Sequence, residues 1–217
     1  MNKISKRLNV IKSLVDEKIV CDVGCDHGKL AKALIDEKLV DFIYISDISK
    51  PSLHKAEILL GDYDNFKSIH CDGLLGYNGL NIDECIISGM GGDEIINIIK
   101  LSPIKINKFI LSPQHNIVGL KKFMINNGYK ITDDIIIKDK NKFYNIIKFI
   151  LGKSDYPSEF ELYFGKINNQ SKYSDLDEYV NFEYNKVSRI INNNSNVSIE
   201  LIKYYDLLKE FKKRINI

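Results

Sequence analysis

The chain has 217 residues, 44% hydrophobic and 28% charged, with a net charge of +2. That length suits one domain, or one domain with an appendage, at roughly 150 residues per domain. The composition excludes a chain disordered over most of its length. No apolar run approaches the ~18 residues needed to cross a bilayer, and the basic start (Lys3, Lys6, Arg7) meets Asp16, Glu17 and Lys18 before any signal core can form. The reading is a cytoplasmic protein with no membrane partner.

In chain order, Ile4, Leu8, Ile11 and Leu14 recur near the helical period and predict an amphipathic helix over residues 2–15. Ile19–Val23 reads as a buried strand ending in Asp22-Val23-Gly24, followed by a helix over Lys29–Leu39. Phe42–Ser46 is a second strand, closed by Asp47, and Pro51 opens a helix that continues to residue 60. Phe66–Cys71, Cys85–Ser88 and Lys108–Ser112 are further strands, ending at Asp72-Gly73, Gly89 and Pro113. Asp93–Lys100 and Val118–Asn127 read as the intervening helices, and Tyr129–Lys138 with Lys142–Leu151 as a hairpin turning through Asp139–Asn141. Strands alternating with helices predict an α/β fold: a doubly wound, mostly parallel sheet with an antiparallel edge hairpin.

Beyond residue 153 the pattern changes. Leu176, Tyr179, Val180, Val187 and Ile190 form one helical stripe, and Leu201, Tyr204, Tyr205, Leu208 and Phe211 another, with Asn192–Asn196 as the turn. The expectation is a domain over 1–153 and an α-helical hairpin over 154–217, with two helices of roughly 18 residues.

Charge is segregated. Residues 1–12 carry +4, residues 13–99 carry −9, residues 100–153 carry +8 and the remainder −1. A polyanion-binding face built from the first and third segments is one reading, and lysines scattered over several faces the other. Cys21, Cys25, Cys71 and Cys85 contain no C-x-x-C pair, and Cys21, Cys71 and Cys85 lie in or beside apolar runs, where a thiol behaves as a small hydrophobe. No metal is expected.

The strand ends carry the chemistry, because ligands of open parallel sheets bind beyond the carboxyl ends. Asp22–Gly28 reads D-x-G-x-D-x-G and lacks the G-x-G-x-x-G of a dinucleotide site. Gly24 permits a tight turn and close ligand approach, and Gly28 lets a helix begin against the sheet. Asp22 and Asp26 are wrong for a pyrophosphate and suit a ligand with an amine or sulfonium, namely S-adenosyl-L-methionine; a turn with solvated carboxylates is the plainer alternative. Asp47, about 20 residues beyond the glycine turn, can accept from both ribose hydroxyls, with Ile48 beside it in the same site and Ser49 free to take the helix cap. Asp72, before Gly73, can accept from an adenine amino group. Gly89, Met90 and Gly91 leave room for a bulky ligand, with Met90 either against a base or filling the core.

With these residues in view, the chain resembles the bacterial tRNA (adenine(22)-N1)-methyltransferases over nearly its whole length. The resemblance rests on Arg7-Leu8, Asp22-Val23-Gly24-Cys25-Asp26-His27, Asp72-Gly73-Leu74, Ser88-Gly89-Met90-Gly91-Gly92 and Asn127-Gly128-Tyr129. It departs from the family at Gly28-Lys29 and at Leu111–Asn116. It implies a Rossmann-like class I methyltransferase domain, S-adenosyl-L-methionine, a C-terminal helical coiled coil and cytoplasmic action on tRNA, here taken to involve a monomer. Adenine N1 needs no proton removed before attack, so positioning dominates. Asp26 is the expected partner of the cationic product ring or of the cofactor, with His27 shaping the pocket. Gln114 and Asn116 are expected either to read the base edge or to form a polar loop in which Asn116 caps the next helix. Lys3, Lys6, Arg7, Lys121, Lys122, Lys138, Lys140 and Lys142 are expected to face the RNA. A methyltransferase acting on another base or a small molecule, and a non-catalytic tRNA-binding protein that has kept a cofactor pocket, are the alternatives.

Overall fold

Ile- and Val-rich runs supply the strands, and their parallel pairing buries them on both faces. In chain order they are β1 (Ile19–Val23), β2 (Phe42–Asp47), β3 (Phe66–His70), β4 (Glu84–Ser88), β5 (Lys108–Ser112), β6 (Tyr129–Asp139) and β7 (Lys142–Leu151). They form one seven-stranded sheet of order β3-β2-β1-β4-β5-β7-β6. The first five are parallel, and β7 runs antiparallel to both β5 and β6. This computed structural model describes residues 4–153, 157–165, 175–194 and 196–214, so Lys3 lies outside the described residues.

One face of the sheet is covered by α1 (Lys6–Leu14), α2 (Lys29–Asp36) and α3 (Lys50–Leu60), which bury Ile11, Leu34 and Leu53 against Val20, Ile43 and Ile45. The other is covered by α4 (Gly92–Lys100) and α5 (Ile117–Asn126), with Ile95, Leu120 and Met124 against Cys21, Ile87 and Phe109. Thus β1 sends Val20 to one face and Cys21 to the other, the period-2 alternation of a strand buried on both sides. The cysteines are all reduced, and Cys21 and Cys85 lie in the core.

Helix ends follow local chemistry. Ser5 caps α1, accepting from Leu8 N–H at 3.2 Å. The helix expected over Lys29–Leu39 stops three residues early. Lys38 turns left-handed (φ 54°), and the N–H groups of Lys38 and Leu39 close on the carbonyls of Ile35 and Leu34 at 2.9 and 3.0 Å.

The tail contains one element more than its periodicity suggests. α6 (Glu159–Phe164) is a short helix opened by a Ser158–Glu161 capping box, a signal present in the sequence as S-x-x-E. It is followed by α7 (Leu176–Asn193) and α8 (Ile199–Arg214), which fold back as a helical hairpin. Phe160, Phe164, Leu176, Val180, Val187, Leu208 and Phe211 form a third apolar cluster together with Ile136 of β6. Ile190 does not join it; it is exposed and Ile191 packs instead.

The edge strand β6 is closed by the first residue of the hairpin. Asp175 donates its N–H to Ile136 O at 2.7 Å and its carboxylate accepts from Lys138 N–H at 2.5 Å and Lys6 Nζ at 2.7 Å. One residue therefore covers an open sheet edge and ties α7 to α1. Among the described residues no helix is long and apolar enough to cross a membrane.

Lys121 corrects an expectation. It does not face RNA: it is wholly buried, with Nζ 2.6 Å from the Asp134 carboxylate and donating to Leu162 O at 2.8 Å. Ile117, Leu120, Lys121 and Met124 share the inward stripe of α5, so this lysine meets β6 and α6 and is neutralised there. Truncating it strands the Asp134 charge. Lys121→Ala is expected to lower unfolding free energy by roughly 3–5 kcal/mol, read from urea denaturation. An effect no larger than that of Lys122→Ala would show the pair to be dispensable.

Candidate active site

Parallel pairing of β2, β1 and β4 brings three chain turns to one end of the sheet. The first is Val23–Gly28. Gly24 turns left-handed (φ 72°), and the N–H groups of Gly24 and Cys25 donate to Ser46 O at 2.8 and 3.0 Å. Glycine is required there, since a Cβ would lie 2.2 Å from Met90 Cε. Asp26 is also left-handed (φ 51°), and its N–H donates to Asp47 Oδ2 at 3.1 Å. Gly28 (φ 70°) starts α2 with its Cα against Ala56, where a Cβ would meet another at 2.9 Å.

Asp47 ends β2. Its Oδ1 accepts from Ser49 N–H at 2.8 Å, while Ser49 Oγ caps α3 at Ser52, so Ser49 does take the cap as expected. The aspartate holds the Val23–Gly28 turn in place and still borders the pocket. The third turn is zipped to the end of β5. Gly89 N–H donates to Ser112 O at 3.1 Å, Gln114 N–H to Met90 O at 2.9 Å and Gly92 N–H to His115 O at 2.9 Å. Gln114 Nε2 donates to Gly89 O at 2.6 Å, which fixes the amide over the pocket mouth.

Between these turns lies a cavity of about 350 Å³, within the range of small-ligand sites. Gly24, Asp26, Asp47, Ile48, Asp72, Gly73, Gly89, Met90 and Gln114 all line it. With Glu94, four carboxylates therefore line one space. Behind them Asp22 is buried, and burial, followed by the Asp47 carboxylate, pushes its carboxyl up to about 7 against the pull of Arg7. Ile48 is 66% exposed at the rim, an apolar surface facing open space.

Other assignments shift. Arg7, expected among the RNA-facing cations, is on the pocket wall with its guanidinium 5.0 Å from the Tyr144 ring centroid. Its backbone N–H donates to Asp139 Oδ2 at 3.0 Å, which docks α1 on the hairpin turn. Asn116 is not brought to the pocket. It takes a left-handed conformation at the start of α5, and its Nδ2 donates to Asp93 Oδ1 at 2.5 Å. His27 sits outside the lining with Nδ1 3.2 Å from Asp26 Oδ2. Gly91 caps α4 behind the wall, where a Cβ would strike the His115 ring at 2.3 Å. Ser46, Glu94 and Ile98 also line the pocket without a signal in the sequence, and Ser88 lines it as the first residue of the Ser88–Gly92 motif. Ser88 ends β4, and its buried hydroxyl has no partner among the described residues. No three His, Cys, Asp or Glu side chains form a metal-holding group among the described residues.

Lys6 and Lys138 are exposed or half-buried but paired with Asp175 and Glu178. Lys122, Lys140 and Lys142 are exposed.

A doubly wound sheet with glycine turns, strand-end acids and an antiparallel last strand defines a nucleoside-cofactor enzyme of the methyltransferase class. Residues 4–147 match the methyltransferase domain model, and the chain belongs to that family. It is 29% identical to a putative tRNA methyltransferase of Mycoplasma pneumoniae over 98% of this chain and 92% of that protein. It is 25% identical to the tRNA (adenine(22)-N(1))-methyltransferase of Bacillus subtilis over 70% of this chain and 67% of that one. Among solved structures, M. capricolum TrmK in complex with S-adenosyl-homocysteine superposes with a TM-score of 0.85 at 24% identity, covering 98% of each chain.

The state of Asp22 has a measurable consequence. Its carboxyl lies near 3.8 unfolded and about 7 folded. Across that window the unfolded chain has lost the proton and the folded chain keeps it, so this group's contribution to stability falls as pH rises. Asp22→Asn is expected to gain stability relative to the parent as pH rises from about 4 to about 7, read from urea midpoints. A gap independent of pH would contradict the buried, protonated carboxyl.

Proposed function

We propose that the chain is an S-adenosyl-L-methionine-dependent tRNA methyltransferase that forms N1-methyladenosine at position 22, acting in the cytoplasm. The observation that carries the reading is the set of carboxylates Asp26, Asp47 and Asp72 around one cavity, with Asp22 buried behind. Such a cluster calls for a cationic, hydroxyl-rich ligand and repels phosphate. The relative from Bacillus subtilis supports the base and position.

The pocket fits the cofactor. Gly24 and Gly89 leave backbone where a side chain would intrude, Ser88 offers an unpartnered hydroxyl, and the acids match an amine, a sulfonium and ribose hydroxyls. Asp47 would hold the ribose, Asp72 and Ile48 the adenine, and Asp22 and Asp26 the cationic end. When bound, S-adenosyl-L-methionine supplies a methyl group made electrophilic by its sulfonium.

The protein's own part is placement. The target adenine reaches N1 attack with its lone pair already free, so no residue must act as base. Gln114, held by Gly89 O through Nε2, keeps its carbonyl oxygen for the adenine N6 amino group and so orients N1. Asp26, 71% exposed on its side chain, faces the opening and offsets the positive charge that grows on the ring. His27 stands beside that carboxylate and fixes its direction. Arg7, stacked on Tyr144, needs an anion and meets either the cofactor carboxylate or a target phosphate. Asn116 acts at one remove by pinning α5 to α4. Lys122, Lys140 and Lys142 contact the tRNA backbone, and the helical region over 154–217 grips the folded RNA beside the 1–153 catalytic domain.

Asp47→Ala is expected to weaken S-adenosyl-L-methionine binding by roughly 1–3 kcal/mol, measured by calorimetry on protein shown to be folded. Unchanged affinity removes Asp47 from the ribose. Nucleoside mass spectrometry after incubation with unmodified tRNA should show N1-methyladenosine, lost when position 22 is not adenosine. N6-methyladenosine or methylguanosine as sole product would overturn the assignment.

A further inference from the structure

We infer that Asp175, where the helical hairpin begins, is a positioning residue for methyl transfer: through Lys6 it holds Arg7 at the pocket wall, a role that rests on the methyltransferase reading above. Asp175 stands at the N-cap of α7, where an aspartate ordinarily accepts from its own helix. Here its side chain makes no cap bond. Its Oδ2 is spent on other elements, accepting from Lys6 Nζ of α1 at 2.7 Å and from the Lys138 N–H of β6. The helix forgoes its own cap, and the carboxylate joins the hairpin to α1 instead.

Lys6 and Arg7 open α1, a helix with no acid in its own first turn. Two carboxylates from elsewhere meet that positive end: Asp175 at the Lys6 ammonium and Asp139 at the Arg7 N–H, 3.0 Å away. Both act from one place on β6, because Asp175 is bonded to Lys138 and Asp139 is the next residue. From this anchored turn the Arg7 side chain passes over Tyr144 and lines the pocket. A Cβ placed on Gly89 would lie 3.6 Å from an Arg7 guanidinium nitrogen and 3.9 Å from Gln114 Nε2. Arg7 and Gln114 therefore flank the same glycine of the site. The Lys6 and Asp175 side chains are 42% and 28% exposed, so their pair contributes little to stability. What it supplies is position. Without it the hairpin stays docked through the Asp175 N–H on Ile136 O at 2.7 Å and through the apolar cluster around Phe160 and Phe211.

The test uses the full-length protein, S-adenosyl-L-methionine and an unmodified tRNA transcript. Asp175→Asn keeps an acceptor for the Lys138 N–H and removes the charge that holds Lys6. Lys6→Met severs the same link from the side of α1. Both should lower the single-turnover methylation rate about 5- to 100-fold, with melting temperature and tRNA affinity at the parental values. Lys6→Arg should keep the parental rate. In an Arg7→Ala background neither substitution should lower the rate further, because the side chain they position is gone. Hydrogen exchange in Asp175→Asn should accelerate at the Arg7 and Leu8 amides, while the amides of α7 keep their protection. A parental rate in both variants, or a loss that adds fully to that of Arg7→Ala, overturns the positioning role. A lower melting temperature with faster exchange throughout α7 overturns it in favour of simple structural support. Failure of the parent itself to methylate tRNA overturns the reading beneath, and exchange at Arg7, which needs no tRNA, tells that case from a failure of the Asp175 link.

Discussion

The gathering of carboxylates at one end of a parallel sheet, with Asp22 buried behind the others, is the constraint on which the site depends. Parallel pairing places the ends of β1, β2 and β4 side by side, so acids far apart in the chain become neighbours. Asp22 cannot escape to water and holds its proton up to about pH 7. Asp26 and Asp47 remain at the pocket: the Asp47 carboxylate accepts from the backbone N–H groups of Asp26 and Ser49, and the Asp26 carboxylate lies beside the His27 ring. The fold tolerates this arrangement because the buried acid keeps its proton and the others reach the open pocket. The left-handed turns at Gly24 and Asp26 are part of the same device, since they aim the acids inward instead of along the next helix.

A second constraint is the open edge of β6. Asp175 satisfies the carbonyl of Ile136 and the N–H of Lys138, and it also draws in Lys6. The start of the helical hairpin is thereby registered against α1, the helix that carries Arg7 to the pocket. The buried Lys121–Asp134 pair does similar work on the other side, linking α5, β6 and α6. The tail is thus joined to the catalytic end through charged residues at defined points, with the apolar cluster around Phe160 and Phe211 filling the space between.

The sheet and most of its helices were legible because period-2 and period-3.6 patterns are local properties. β1, β5 and β7 fall where the apolar runs predict, and the remaining strands differ only at their ends. α6 has a capping box in its sequence, but its six residues are too short for a periodic stripe to mark it. Lys121 is a cation on the inward stripe of α5, where its position and not its charge decides its burial. Polarity suits Asn116 equally to a base edge or to the start of α5, and it stands at the start of α5 with its side chain on Asp93.

By itself the sequence determined the element order, the glycine turns and the acids at the strand ends, since these depend on residue type and short spacing. Only the tertiary structure decided which polar side chains face the cavity and which are consumed by one another. Arg7, a candidate for the RNA face, lies on the pocket wall, and Lys121, another, is taken by Asp134 inside the fold. The physical reason is that burial and pairing are properties of long-range contacts: whether a lysine is solvated or neutralised depends on an aspartate many residues away, which no local pattern records.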